Sequence, residues 1–414
     1  MVEIKFLGGA NEVGRAAFLI DSGIEKFLLE YGLNVQQYSI PQQPPTSLDG
    51  LLISHAHLDH LGMLPEIYNR GYNQNTFLTK TTKDLSQLLL YDAIKVQTAQ
   101  GRPPYFLSTD IEKFEKHSEV LDFKQKIKIG EASVELRNAG HIPGSSMILL
   151  ETAGKRILYT GDAKFSETTL MQKADTDFSD IDTLLIESTY TSKNHPERKK
   201  LGEQLREHIQ DIVFNDGIVV LPAFAVGRTQ ELLTLVWDLG FPVFIDGMGV
   251  AATQLILEDP KSMKDHTLLK NAFGRAKIVD PKQRREITKN PCIIITTSGM
   301  LTGGPINTYL KNLYKREDCS LVMTGYQVEG TPGRMLMDTK KIKVDGAEIE
   351  PKMQISSMDF SAHAGRDELL NFIEKVNPKK IIPVHGDSIP VFVDELKSKG
   401  FNALLAKNGE TIKI

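Results

Sequence analysis

Up to about residue 160, the chain is dominated by short apolar runs broken by single polar positions. VEIKFLGG, AAFLIDSG, KFLLEYG, GLLISHAH, ASVELRNAGH, SMILLETAG and KRILYTGD are each bounded by Gly, Asp or Asn and read as strands. One stretch departs from that rhythm. TTKDLSQLLLYDAIKVQ, Thr81 to Gln97, spaces its leucines and alanine as a helix does.

The middle of the chain has a different pattern. The continuous apolar runs GIVVLPAF, FPVFIDG, PCIIITTSG and SLVMTGY alternate with the helical patterns GRTQELLTLVWDLG, GVAATQLILED and PINTYLKNLYK. Strands buried on both faces and joined by helices predict a parallel, doubly wound sheet. The end of the chain alternates again, through RDELLNFIEKV, KKIIPVHGD, IPVFVDELKSKG and NALLAKNGETIKI. No internal repeat is visible. The pattern predicts a β-rich first domain interrupted by an α/β domain.

Composition changes this picture little. The chain has 414 residues, 41 % hydrophobic and 25 % charged, enough to bury more than one core. A formal net charge of -4 means that any polyanion would have to meet a local patch. Runs such as ERKK and KQRRE read as solvated faces. The two cysteines, Cys292 and Cys319, lie in apolar runs and form no CxxC pair, so both are expected to be reduced core residues of a cytoplasmic protein. The N-terminus lacks the charged and apolar regions of a signal peptide, and no apolar run reaches the ~20 residues a membrane crossing needs.

The candidate chemistry is concentrated in ISHAHLDHLG. It places His55, His57, Asp59 and His60 within six positions, although the whole chain has only ten histidines. Imidazole and carboxylate are ligands that borderline divalent metals favour. His55 and His57 point the same way if the segment is extended, whereas Asp59 and His60 can turn toward a second ion. Further candidates stand at strand ends or loops: His141 in NAGHIPGSS, Asp162 in YTGDAKF, Glu187 in TLLIES and His385 in PVHGDS. Ligands collect at the carboxyl ends of strands in sheets flanked by helices, so distant residues can converge there.

SHAHLDH, AGHIPGSS and YTGDAKF resemble motifs of the metallo-β-lactamase superfamily. IESTY, FSAHAGRDEL and PVHGDS resemble the added motifs of its β-CASP branch, which processes nucleic acids, and GGANEVGR, LPAFAVGRTQE, SGMLTGGP and GYQVEGTPGR match that branch too. FSAHAGRDEL is more similar to the cleavage and polyadenylation specificity factor group than to ribonuclease J. The short, chiefly archaeal members without N-terminal KH domains are the most similar, since the first strand starts close to Met1.

The resemblance implies an α/β fold: a metallo-β-lactamase αββα sandwich in residues 1–191 and 347–414, interrupted by a β-CASP domain with a parallel sheet in residues 192–346. It implies two zinc ions, one held by His55, His57 and His141, the other by Asp59, His60 and His385, with Asp162 bridging. Glu30 stands where the family usually has an aspartate that orients the histidine cluster from behind.

The implied reaction is metal-dependent hydrolysis of single-stranded RNA, leaving 5′-phosphate and 3′-hydroxyl ends. Asp162 and Asp59 serve the centre, His363 is the general acid, and Glu187 pairs with it. Gly303, Gly304, Arg228, Arg334 and Ser361 are candidate RNA phosphate contacts. Two rivals stay open: a lactonase- or thioesterase-like hydrolase of the same superfamily, and a scaffold subunit of an RNA-processing complex. No membrane partner is expected, and a homodimer or a place in such a complex is left open. Endonucleolytic and 5′-end-dependent cleavage are not distinguished.

Overall fold

The computed structural model describes all 414 residues. Two compact units emerge: Met1–Glu167, Gln172–Asn194 and Ala362–Ile414 form the first, while Thr168–Met171 and His195–Ser361 form the second.

The first unit holds two sheets. The seven-stranded sheet runs in space Thr411–Lys413, Glu3–Gly8, Ala17–Asp21, Lys26–Leu29, Gly50–Leu52, Thr76–Leu78, Ser118–Val120. The six-stranded sheet runs Lys380–Val384, Thr183–Glu187, Lys155–Tyr159, Ser146–Thr152, Ala132–Asn138, Lys126–Ile129. Their facing sides share one core, with Phe6, Phe18, Phe27 and Leu52 from one sheet and Val134, Ile148, Leu150, Leu185 and Val384 from the other.

Side-chain alternation explains the apolar runs. In Ser146–Thr152, Ile148 and Leu150 face that core, while Met147 and Leu149 join Leu369, Phe372 and Ile373 of helix Arg366–Val376 on the other side. The layers are those of an αββα sandwich. Helix Lys80–Ala99 is the one expected over Thr81–Gln97, begun slightly earlier because the Thr79 hydroxyl caps it, accepting from the Thr82 N–H.

The sequence pattern underestimated the helices of this unit. Leu58–Leu61, Leu64–Asn69 and Ser108–Lys116 are helical as well. The first two hold four and six residues, too few for a helical period to show.

The second unit is built on six parallel strands, in the order Lys277–Ile278, Val243–Asp246, Cys292–Thr296, Ile218–Pro222, Ser320–Met323, Gln354–Ser357. Val219, Leu221, Ile293 and Ile295 face one helix layer, and Val220, Ile294, Leu321 and Met323 the other. Both cysteines are buried and unpaired in this core.

Gln354–Ser357 pairs in parallel with Ser320–Met323 as the last strand of the second sheet, and the first compact unit resumes at Ala362. One expectation needs correction. The ERKK and KQRRE runs each send an arginine inward. Arg198 donates to the Ser361 carbonyl at 2.7 Å and lies 3.2 Å from Glu231. Arg284 grips the buried carboxylate of Asp246 at 2.7 and 3.0 Å. No helix is long and apolar enough to cross a membrane.

Candidate metal centre

Strand Gly50–Leu52 leads into His55, and the short helix Leu58–Leu61 carries Asp59 and His60 back over it. The Asp59 carbonyl accepts from Ala16 N–H at 2.9 Å, and the His60 carbonyl from Tyr31 N–H at 2.8 Å. Gly32 makes that approach possible, since a Cβ there would lie 1.7 Å from the Asp59 carbonyl oxygen. His141, Asp162 and His385 enter from the other sheet. Asp162 and His385 follow strands Lys155–Tyr159 and Lys380–Val384, and His141 lies on the loop before Ser146–Thr152. His385 has φ +52°, a backbone conformation histidine tolerates better than most residues, and its N–H is held by the Gly9 carbonyl at 2.8 Å.

The donor atoms fall into groups. His55 Nε2 lies 3.2 Å from His57 Nδ1, which is 3.3 Å from His141 Nε2. Asp162 Oδ2 stands 3.6 Å from His55 Nε2 and 3.7 Å from His141 Nε2. A tetrahedral ion with bonds of ~2.0–2.1 Å separates its donors by roughly 3.3 Å, so this quartet has the edges of a ligand cage. Asp59, His60 and His385 form a second group. Here Asp59 Oδ2 lies 3.2 Å from His385 Nε2 and 3.9 Å from His60 Nε2. The same Asp162 Oδ2 is 3.4 Å from His60 Nε2, so one carboxylate borders both groups.

Either group could hold a metal ion, and the burial supports it. His55 and His60 are fully buried, yet neither ring nitrogen of His60 nor Asp162 Oδ1 has a hydrogen-bond partner in the protein. Buried polar atoms are nearly always satisfied, so such a set marks a place built for a further partner. Side-chain exposures of 28 % at Asp59 and 21 % at His363 mark the open side.

Electrostatics divide the histidines. Burial, reinforced by His60, holds His55 well below its ordinary pKa, and burial with His363 does the same to His141, which keeps both rings neutral as ligation requires. At His60 burial also opposes the charge, but Asp162 and Asp59 outweigh it and lift the pKa. Asp162 is held well below the carboxylate range despite its burial, because His385, His60 and His363 surround it.

Behind the donors stand residues that sequence reading missed. The Ser54 hydroxyl is 2.9 Å from His55 Nδ1. The Ala362 carbonyl is 2.9 Å from His141 Nδ1. Thr189 Oγ1 lies 3.5 Å from His385 Nδ1. Each is adjacent, or nearly so, to a motif residue, which was the only available signal. Glu30 is fully buried with φ +60°, accepts from Ser54 N–H at 3.1 Å, and comes within 3.7 Å of His60 Nδ1.

His363 completes the surroundings. Its Nδ1 is 3.2 Å from both oxygens of Glu187, the last residue of strand Thr183–Glu187, and 3.8 Å from Asp162 Oδ2. Its segment is pinned from both sides: Ala364 N–H donates to the Ala163 carbonyl at 2.7 Å, and Ala163 N–H to Glu187 at 2.9 Å. Glu368 then starts helix Arg366–Val376, accepting from Gly365 N–H and from Lys164. Burial works against an imidazolium at His363, but Glu187 and Asp162 together push its pKa up to about 9.

The candidate phosphate contacts all lie in the second unit. Arg228 is 8 % exposed, 3.9 Å from Glu231 and over the ring of Phe360. Ser361 is buried as well. Arg334 is exposed and pairs with Asp338 at 2.8 Å, while Gly303 and Gly304 form a loop with positive φ.

Comparison with known proteins accords with this geometry. The Beta-Casp domain matches residues 229–336, and the Zn-dependent metallo-hydrolase RNA specificity domain matches residues 348–406. The Anti-Pycsar protein Apyc1 family matches residues 10–219. A probable RNase MJ4 of Methanocaldococcus jannaschii is 37 % identical over 100 % of both chains. The chain belongs to the β-CASP branch of the metallo-β-lactamase superfamily.

Within that branch it is similar to RNase aCSPSF2 of Saccharolobus solfataricus, at 32 % identity over 99 % of this chain and 85 % of the relative. Similarity to the transcription termination factor FttA of Methanocaldococcus jannaschii is 33 % over 93 % and 67 %. A crystal structure of a protein of unknown function from Enterococcus faecalis V583 shares the fold, with a TM-score of 0.64 at 14 % identity over 99 % of both chains.

Proposed function

We propose that this chain is a zinc-dependent ribonuclease that hydrolyses phosphodiester bonds of single-stranded RNA with two ions and a histidine acid. That it is a metal-dependent ribonuclease follows from the RNase relatives and the matched metallo-hydrolase domain. The finer reading is supported by one observation. Asp162 belongs to one donor group and comes within 3.4 Å of His60 in the other, and the His363–Glu187 pair stands beside it.

In this reading His55, His57 and His141 would hold one zinc ion and Asp59, His60 and His385 the second, with Asp162 beside both groups. Bound there, paired ions would supply a readily deprotonated water and would offset charge at phosphorus. The rest is the work of the chain. Glu187 engages His363 Nδ1 and steadies the protonated ring, which assigns Nε2 as the proton donor. As the P–O3′ bond breaks, that proton passes to the 3′-oxygen. The products carry a 5′-phosphate and a 3′-hydroxyl, and the 2′-hydroxyl takes no part.

Elemental analysis of purified protein should find about two zinc equivalents per chain. Parallel assays on 5′-labelled and circular RNA then test the reaction and its direction. Cleaved circles establish internal scission. Protein that carries no transition metal after reconstitution, or leaves both RNAs intact, refutes the proposal.

A further inference from the structure

Three large aromatic side chains are exposed, all in the second unit: Phe214, Phe224 and Tyr326. Phe214 packs edge-on against Phe241. The other two share a location. Phe224 follows strand Ile218–Pro222 and Tyr326 follows strand Ser320–Met323, which are neighbours in the parallel sheet. Both rings therefore emerge at the carboxyl edge, where open α/β sheets gather ligands.

The backbone beneath them is unusually well tied. The Thr324 hydroxyl donates to the Pro222 carbonyl at 2.8 Å, joining the starts of the two loops. The Thr229 hydroxyl donates to the Phe224 carbonyl at 2.7 Å. Gln327, 7 % exposed, donates through one amide to the carbonyls of Gly299 and Gly325, at 3.1 and 3.0 Å. Gly333 is shaped around that amide, since a Cβ there would sit 1.9 Å from Gln327 Oε1.

Over this frame the Phe224 ring lies beside two residues that have no side chain. A Cβ at Gly299 would come 3.4 Å from Phe224 Cδ2, and one at Gly325 3.7 Å from Cε2. The result is a fixed backbone with flat rings left 40 % and 51 % open at Phe224 and Tyr326. Rings this exposed give little to the core, and the Phe224 ring, seated beside Gly299 and Gly325, loses little entropy on contact.

We propose that Phe224 and Tyr326 form a stacking platform for unpaired nucleobases of the RNA substrate. Aromatic faces accept any base, so the platform would secure single-stranded RNA with little sequence preference. This rests on the ribonuclease reading. It adds a binding site for bases, distinct in kind from the metal ligands and the acid pair.

The test is steady-state cleavage of a short single-stranded RNA by the full metal-loaded chain, comparing the parent with Phe224→Leu and Phe224→Tyr. Leucine keeps apolar packing on the glycines but offers no aromatic face, whereas tyrosine keeps one. Phe224→Leu should raise KM about 5- to 100-fold, the worth of one stacked base, with kcat unchanged, and Phe224→Tyr should restore it. A series of RNAs, each with one abasic position, supplies the second readout. At the stacked position the abasic RNA should cost the parent a similar factor and cost Phe224→Leu nothing further.

Unchanged KM in Phe224→Leu overturns the platform, as does an equal loss at every abasic position in both proteins. A shift in oligomeric state with KM intact also overturns it, and assigns the rings to a contact between copies. A parent that cleaves no RNA defeats the ribonuclease reading itself.

Discussion

His363 Nδ1 stands 3.2 Å from both carboxylate oxygens of Glu187, and the carbonyl of the preceding residue, Ala362, stands 2.9 Å from Nδ1 of His141. One short segment thus carries the candidate acid and orients a candidate metal ligand. In the proposed function, chemistry and ion binding would be coupled through the backbone as well as through Asp162. Changes to the segment's side chains should separate the two functions, whereas changes to its backbone should not.

Gly32 tests how tightly the histidine cluster is built. Its Cβ position is 1.7 Å from the Asp59 carbonyl oxygen, so Gly32→Ala must push the helix Leu58–Leu61 away. Zinc content measured by elemental analysis should fall and RNA cleavage with it. Gly71→Ala, at φ +98° with open space around it, gives a strained control that should keep its metal. Full zinc occupancy in Gly32→Ala would be inconsistent with the structure.

Ser54 is expected to act on His55 from behind. Its hydroxyl lies 2.9 Å from Nδ1 and would leave Nε2 free to face an ion. Ser54→Ala should weaken zinc binding about 10- to 100-fold in a chelator competition, the usual worth of such a partner. An unchanged affinity would mean that packing alone orients the ring.

The second unit offers a stability test independent of catalysis. Asp246 accepts two bonds from Arg284 and one from the Tyr309 hydroxyl at 2.7 Å. Asp246→Ala strands both partners. It should cost about 3 kcal/mol by chemical denaturation, the lower end for a broken buried pair because Arg284 retains some contact with water. A loss below about 1 kcal/mol would show that the network relaxes at little expense.

The sequence made much of this readable because strand ends carry the chemistry. Apolar runs that stop at His55, Asp162, Glu187 and His385 mark both the strands and the residues that emerge from them. Periodicity failed where elements are short, as in Leu58–Leu61, whose four residues show no repeat. It also failed at Gln354–Ser357, a half-exposed strand that lacks the apolar run of its neighbours. Arg198 and Arg284 misled because a charged run says nothing about which member turns inward to a carboxylate. Ser54, Thr189 and the Ala362 carbonyl are defined only by the fold.

The central claim is that His363 serves the leaving oxygen while the donor groups around Asp162 hold the ions, and one comparison tests it most directly. His363→Ala, Glu187→Ala and Asp162→Ala would each be assayed for zinc content and single-turnover RNA cleavage. His363→Ala should retain both ions and RNA affinity yet lose about 10²–10⁴-fold in rate. Glu187→Ala should do the same more mildly, and Asp162→Ala should lose metal and rate together. A His363→Ala protein that loses its zinc, or cleaves like the parent, would contradict the account.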